Sequence, residues 1–576
     1  MHDTYMVVSK RFPLPPGDGY AHPHPWQSTI RPLLLHDVLA GQAIKTPDAL
    51  LVEFLGRNFS YRQIHADARR FAAGLARRGI AKGDRVGLFL PNVPSYVAAY
   101  YGTMMAGAVV VNFSPLYSVE ELSAQVVDSG TRLLVTMDAP ALLPTAVRVL
   151  DTSPLERLTV IRLADELPRL KSLGLRLLKR SQIANLPARP DVTLWRDWLS
   201  DAEAERPELT PSDLALLQYT GGTTGVPKGA MLTHANLSSN AQQVDLIDPF
   251  ERAGQDGRDI ILGALPLFHV FANTCVLNRT VVRGGSMTLV PRFDAKQVLA
   301  TIRRMKPTGL PGVPTMFQAL MDHPDFAATD WSSVRICISG GAPLPGPLAE
   351  KFEAATGARL VEGYGLTESS GVVSANPYLG NRKVGTIGQP IPATQVLLLD
   401  KENPESLAPD GEPGELALRG PQIMRGYWNK PDSHAVTFAE INGEAWLRTG
   451  DVATIDADGF VTIVDRLKDM IAVGGFKVFP SHVEDVILEH AAVKEVLVIG
   501  VPDSYHGEMP RAYVTLNEGA TDRGEELKAW LNTRVGKHER VDSVVVREAL
   551  PRTMIGKLDR KALRAEIGAD IGTGAA

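Results

Sequence analysis

Leu214-Ala-Leu-Leu-Gln-Tyr-Thr-Gly-Gly-Thr-Thr-Gly-Val-Pro-Lys-Gly229 carries an apolar run straight into a turn rich in glycine and threonine. The run 214–217 reads as a buried strand. Between Thr220 and Lys228 stand three glycines, three threonines and one lysine. Glycines let the backbone approach an anion closely, and amides and hydroxyls donate to its oxygens, so the composition suits a loop wrapped around a polyphosphate. The Walker A loop is excluded as its identity, because Lys228 stands between Pro227 and Gly229 and the spacing Gly-x-x-x-x-Gly-Lys-[Ser/Thr] does not occur. Taken alone, the motif also reads as a Gly/Thr surface turn.

Outward from this stretch, β-branched or apolar runs alternate with helical ones over about 50–299. The spacing predicts strands at 85–90, 109–113, 133–136 and 158–161, and helices over 61–78 and 96–106. Such alternation implies βαβ units and parallel sheets, hence an α/β fold. After about Gly385 short strands set among Gly and Pro, at 396–399 and 415–419, predict a smaller β-rich layer. From Met470 helices and strands alternate again, at 481–489, 493–500, 512–516, 523–535 and 543–546, which predicts a separate lobe of roughly 100 residues.

The composition sets wide bounds. At about 150 residues per domain, 576 residues allow three or four compact units. Hydrophobic residues make up 44% and charged residues 22%, as in soluble globular chains. A net charge of −5 supplies no footprint for bulk nucleic-acid binding. Two cysteines, Cys275 and Cys337, make neither a disulfide framework nor a zinc spacing, so a reducing compartment fits. The N-terminus has no apolar secretion segment, and residues 567–576 carry no lipidation or organelle address. The uncharged stretch 91–117 is interrupted by Pro94, Ser95, Gly102, Thr103, Gly107, Asn112 and Ser114, and reads as a helix and a buried strand rather than a membrane span. Residues 167–186 set Arg169, Lys171, Arg176, Lys179 and Arg180 among leucines. Two readings of this segment stand: a basic amphipathic helix lying on an anionic membrane surface, and the commoner solvated helix packed by its leucine face.

Thr220 to Gly229 resembles the phosphate-loop signature of the adenylate-forming superfamily of acyl-CoA synthetases, peptide-synthetase adenylation domains and luciferases. Five further motifs follow in the family's order. Glu362-Gly-Tyr-Gly-Leu-Thr-Glu368 is similar to its adenine and magnesium motif, Trp446-Leu-Arg-Thr-Gly-Asp451 to its ribose motif, and Asp465-Arg-Leu-Lys-Asp469 to its hinge. Val473-Gly-Gly-Phe-Lys477 resembles the loop after the hinge, and Pro551-Arg-Thr-Met-Ile-Gly-Lys557 the catalytic-lysine loop, although Met554-Ile555 stand where small, Pro or polar residues are commoner. The resemblance spans roughly residues 26–566.

The resemblance implies a large domain over 1–467, holding the ATP and acyl sites, and a small mobile α+β domain over 468–576, with its hinge at Lys468. It assigns ATP to Thr220, Gly221, Gly222, Thr223, Thr224, Gly225, Lys228, Gly341, Ala342, Pro343, Glu362, Gly363, Tyr364, Gly365, Leu366, Thr367, Asp451, Arg466 and Lys557. Tyr364 offers a flat face to a purine, and Asp451 with Arg466 can hold a ribose. Mg²⁺ falls to Glu368 and Thr224, since that ion prefers hard oxygens and phosphate. Lys557, Glu368, Thr367 and His269 are the catalytic candidates; a lysine can bridge a carboxylate oxygen and the α-phosphate as charge develops. Alone, Glu368 reads as a solvated carboxylate, Thr449-Gly-Asp451 as a turn and Lys557 as an exposed lysine.

Segments 265–272 and 309–317 resemble the acyl walls of fatty acyl-CoA synthetases, which assigns Phe268, His269, Phe271, Gly312, Val313, Thr315 and Met316 to the acyl group; ordinary core is the alternative. Gly474, Gly475 and Phe476 fall to CoA. The implied reaction is the AMP-forming activation of a fatty acid to acyl-CoA through an acyl-adenylate, with Mg²⁺ as cofactor and ATP and CoA as cosubstrates. A ligase that stops at acyl-AMP or charges a carrier protein, an aryl-CoA ligase, and a nucleotide- and lipid-binding protein without turnover are the rivals. The expected setting is cytoplasmic, with peripheral contact at the inner face of the membrane through 167–186 and a homodimer both left open.

Overall fold

A computed structural model of the 576-residue chain describes residues 19–202, 206–220, 227–250, 257–474, 476–503, 505–521, 523–552 and 558–573. Strands β1 (Leu50–Phe54) and β2 (Arg57–Ser60) form a hairpin that leads into helix α1 (Tyr61–Arg77). Ser60 caps this helix reciprocally with Gln63, which satisfies two of the unpaired donors at its start. A seven-stranded sheet follows, built from β3 (Arg85–Leu88), β4 (Val109–Asn112), β5 (Thr131–Met137), β6 (Arg157–Ile161), β7 (Val192–Leu194), β8 (Leu214–Thr220) and β9 (Lys228–Thr233) in the order β7-β6-β5-β3-β4-β8-β9. Its pairs are parallel except β8 with β9. Central strands buried on both faces read as continuous apolar runs, which is why 109–111 and 133–135 were legible.

The uncharged stretch 91–117 is core. Helix α2 (Pro94–Met105) is buried along nearly its whole length, and its tyrosine hydroxyls find buried partners: Tyr96 donates to Asn112 at 2.8 Å, Tyr100 to Asn273 at 3.0 Å and Tyr101 to Asn278 at 3.0 Å. Among the described residues no helix is long and apolar enough to cross a membrane.

The parallel alternation runs past residue 299. β10 (Ile260–Gly263), β11 (Ser286–Leu289), β12 (Gly309–Gly312), β13 (Ile336–Ser339) and β14 (Arg359–Tyr364), with the short β15 (Ser374–Ala375) and β16 (Gln389–Pro390), join β1 and β2 in a nine-stranded sheet. Its order is β16-β15-β14-β13-β12-β10-β11-β1-β2. Gly309-Leu-Pro-Gly312 conceals β12 because Gly and Pro are poor strand formers; here Pro311 stands where the ladder to β10 has already ended, at Ile261 opposite Gly309. The expected β-rich layer is a five-stranded antiparallel sheet of β17 (Gln395–Leu399), β18 (Gly414–Arg419), β19 (Phe438–Ile441), β20 (Glu444–Ile455) and β21 (Val461–Arg466).

The last sheet contains β22 (Ile471–Val473), β23 (Phe476–Val478), β24 (Val493–Asp503), β25 (Gly507–Leu516) and β26 (Val544–Val546). The largest buried apolar cluster ends at Val461, and from Ile471 onward separate clusters form.

The basic segment corrects one expectation. Helix α3 (Arg169–Leu178) forms where the pattern placed it, but it is not packed by its leucine face: Leu170, Leu173, Leu177 and Leu178 are 85%, 55%, 67% and 86% exposed, and only Leu175 is buried. Periodicity shows that a helix has an apolar stripe; it does not show that the fold supplies a surface to cover it.

Candidate active site

The parallel ladders joining β12, β13 and β14 end at Gly312, Ser339 and Glu362, which lie side by side in register. The carboxyl edge of such a sheet is where loops leave the strands and side chains converge. Gly341 follows β13 with φ of +82°, and the Leu344 amide farther along the same loop favours the charged form of the Glu362 carboxyl. Burial nonetheless pushes the Glu362 carboxyl up to about 7.

Beyond β14 the chain makes a tight loop and a short turn, Thr367–Ser369, which carries Thr367 and Glu368. Gly365 is required there: a Cβ at that position would lie 1.7 Å from the Gly371 carbonyl oxygen. Tyr364 donates its hydroxyl to Asp451 Oδ2 at 2.5 Å, and the Arg466 guanidinium meets Asp451 Oδ1 at 2.9 Å. Asp451 and Arg466 face each other across β20 and β21, so sheet register delivers both groups to one point. Burial first, and the Asp451 charge second, hold the Tyr364 hydroxyl protonated far above its ordinary range.

On the other side, β8 and β9 form a hairpin in which Thr220 pairs with Lys228. The expected phosphate-loop residues Gly221, Gly222, Thr223, Thr224 and Gly225 lie outside the described residues; both stems of their loop are fixed by this register. Lys228 holds its Nζ 5.1 Å above the ring centre of Tyr427.

Tyr427 is the residue that sequence reasoning missed. Its hydroxyl donates to Glu368 Oε1 at 2.6 Å. The loop bearing it is clipped to both partners: the Met424 amide donates to the Glu368 carbonyl at 2.8 Å, Arg425 to Met231 at 3.0 Å and Trp428 to Gly229 at 2.8 Å. Contacts run from Lys228 through Tyr427 to Glu368, and a second set runs from Tyr364, four residues earlier on the same segment, to Asp451 and Arg466. The signal that could have found it is Gly426-Tyr-Trp-Asn429, an aromatic pair after glycine in a β-rich layer.

The segments assigned to the acyl group adjoin this edge. Phe271 packs its ring where a Cβ on Gly340 would sit, 3.0 Å from Cε1 and Cζ and next to the Gly363 carbonyl. His269 accepts from the Phe271 amide through Nδ1 at 3.4 Å, which orients the imidazole at the start of a short helix. Phe268 and Phe271 are half-buried against the core, Val313 and Met316 are buried and Thr315 is exposed. Phe317 is fully buried core.

Lys468 is exposed on a turn at Leu467–Asp469 whose flanks are both tied to elements that follow it in the chain. Asp465 accepts from the Ser481 amide at 2.9 Å, capping the start of α4 (Pro480–Leu488). Asp469 is held by Arg560 at 3.2 Å and Arg564 at 2.9 Å, both on α5 (Arg560–Thr573). Gly474 has φ of +55° and donates to the His506 carbonyl at 2.8 Å. Gly475, the Phe476 side chain and Lys557 lie outside what the structure describes.

Among the described residues no three His, Cys, Asp or Glu side chains gather into a metal cage. The Glu368 carboxylate offers hard oxygen donors that fit a cation taking its remaining ligands from phosphate and water, and the other expected ligand, Thr224, lies outside the described residues.

Residues 39–428 match the family model described as AMP-binding enzyme, and residues 482–557 match that of the AMP-binding enzyme C-terminal domain. The chain is 38% identical to a long-chain-fatty-acid–CoA ligase of Bacillus subtilis, over 92% of this chain and 94% of that protein. It is 34% identical to a feruloyl-CoA synthase of Amycolatopsis, over 92% of this chain and 98% of that one. The fold matches the crystal structure of ATP-bound MatB from Rhodopseudomonas palustris with a TM-score of 0.79 at 29% identity, covering 92% of this chain and 98% of that one.

Proposed function

This chain belongs to the AMP-binding enzyme family, and on that premise we propose that it is an AMP-forming acyl-CoA synthetase that activates fatty acids. In the first step a carboxylate oxygen attacks the α-phosphorus of ATP, and pyrophosphate leaves with the broken P–O electron pair. In the second, the CoA thiol sulfur attacks the acyl carbon; the thiol proton passes to solvent and AMP leaves.

The observation that carries this reading is a pair of contact sets borne on one segment, Lys228–Tyr427–Glu368 and Tyr364–Asp451–Arg466, which set the stem of the expected phosphate loop and a carboxylate suited to ribose hydroxyls at the two ends of 364–368. In the proposed assignment Thr220, the loop 221–225 and Lys228 hold the phosphates, Tyr364 stacks on adenine, and Asp451 exchanges part of its present pairing for the ribose. Gly341, Ala342, Pro343, Gly363, Gly365 and Leu366 shape the nucleotide pocket around Glu362. His269 orients the carboxylate, while Phe268, Phe271, Gly312, Val313, Thr315 and Met316 line the acyl path. Glu368, with Thr224 and the phosphate oxygens, would hold Mg²⁺, which when bound neutralises phosphate charge as pyrophosphate departs.

Residues 1–467 and 468–576 form the two domains of this proposal. Lys468 is the hinge, Lys557 neutralises developing charge in the first step, and Gly474, Gly475 and Phe476 guide the pantetheine in the second. A reducing, cytoplasmic setting belongs to the same reading, since Cys275 and Cys337 are buried free thiols.

The test is pyrophosphate release with dodecanoate, acetate or ferulate, with and without CoA. Turnover that rises with chain length over the medium range and yields AMP and a thioester supports the reading. Equal or faster turnover of acetate or ferulate overturns the acyl assignment, and adenylate that never passes to CoA overturns the synthetase.

A further inference from the structure

We infer that α3 is a docking surface for an anionic lipid bilayer, with Leu170, Leu173 and Leu177 entering the interface and Arg169, Lys179 and Arg180 meeting lipid phosphates. Positions i, i+3 and i+7 fall on one helix face, so these three leucines make a single row, and each is more than half exposed. Leu175 lies on the opposite face and is the buried contact. The helix is held by polar ties at its base: Lys171 Nζ donates to the Leu55 carbonyl at 2.7 Å, and Arg176 pairs with Asp165 at 2.7 Å. The outward row is thus a fixed feature of the surface, and contiguous exposed apolar rows mark interaction sites.

Charge identifies the occupant. Lys171 and Arg176 are engaged below, but among the described residues no carboxylate pairs Arg169, Lys179 or Arg180, which leaves three cations at the ends of the leucine row. A basic helix with an apolar stripe suits the boundary between anionic headgroups and acyl chains. A second copy of the chain suits it poorly, because a two-fold interface sets the same patch against itself and would bring the cations together. The inference rests on this surface alone and is independent of the proposed activity.

The experiment is co-sedimentation of the full-length protein with phosphatidylglycerol or phosphatidylcholine vesicles, at low salt and at about 0.5 M salt, where the screening length falls to about 4 Å. The wild type should sediment with phosphatidylglycerol at low salt and be released by high salt. The triple variant Arg169→Gln/Lys179→Gln/Arg180→Gln should partition about a hundredfold more weakly, at roughly the usual contribution per charge. Leu170→Ser/Leu173→Ser/Leu177→Ser should lose at least about tenfold through lost apolar burial. Both variants change solvent-facing side chains, so their melting temperatures and pyrophosphate release with octanoate should match the wild type. That second readout keeps failure of docking distinct from failure of the proposed activity. The inference is overturned by wild-type protein that ignores phosphatidylglycerol at low salt, by variants that bind as well as wild type, or by a wild-type dimer in sedimentation velocity that the leucine variant dissolves while vesicles bind neither.

Discussion

Tyr427 links two groups that sequence motifs treat separately, the Lys228 ammonium and the Glu368 carboxylate. Replacing it by Phe keeps the ring under Lys228 and removes only the hydroxyl that donates to Glu368. A hydrogen bond to a charged group contributes about 1.5–3 kcal/mol, so the Mg²⁺ concentration for half-maximal pyrophosphate release should rise about tenfold or more in Tyr427→Phe. Thioester formation from preformed adenylate should not change. An unaltered Mg²⁺ midpoint would mean that Tyr427 does not position Glu368. Glu362 yields a prediction in pH. Its folded-state carboxyl is raised from 4.5 to about 7, so the folded state favours the protonated form. The associated stability is complete below about pH 4.5 and is lost as pH rises through 7. Glu362→Gln keeps the shape of the side chain without the charge. It should match the wild type in urea unfolding at pH 4.5 and exceed it at pH 8 by on the order of 2 kcal/mol. Equal stability of the two proteins at pH 8 would contradict the burial argument.

At the scale of elements, the turn carrying Glu368 depends on Gly365. Gly365→Ala drives a methyl into the Gly371 carbonyl, and two backbones rather than a flexible side chain must give way. The expected cost is at least about 3 kcal/mol in thermal or urea unfolding, with loss of adenylation. A variant that folds and adenylates like the wild type would show that the loop relaxes freely. The same scale explains what was legible in the sequence. Strands β3 to β6 were readable because fully buried parallel strands must be apolar on both faces. β12 was hidden by Gly309, Pro311 and Gly312, whose places in the sheet depend on neighbours that local propensity cannot see. Tyr364, Asp451 and Arg466 were found through their motifs, and the structure brings all three together. Tyr427 escaped because its partner lies 59 residues away in sequence and the two meet only through a loop clipped across β9. The amphipathic pattern of 169–178 was read as helix with two alternatives for its leucine face, and the structure excludes the packed one, since which side meets the core is a property of the whole fold.

For the whole molecule, Asp465 binds the start of α4 and Asp469 is gripped by α5, and of the three residues between them Arg466 reaches back to Asp451 while Lys468 is exposed. A rotation at Lys468, as proposed, must release the Asp465–Ser481 tie and would turn on few dihedrals. Lys468→Pro, which fixes φ, should spare one half-reaction and suppress the other when pyrophosphate release and thioester formation are followed separately. The two-step account itself is tested most directly by quenching the enzyme with ATP, Mg²⁺ and labelled dodecanoate before and after CoA is added, and separating the acyl products. Acyl-adenylate should form without CoA and be consumed into thioester when CoA arrives. In Lys557→Ala its formation should slow by about 10²–10³-fold, while added acyl-adenylate still yields thioester. Thioester formed with ADP instead of AMP, or a Lys557→Ala enzyme impaired equally in both halves, would contradict the account.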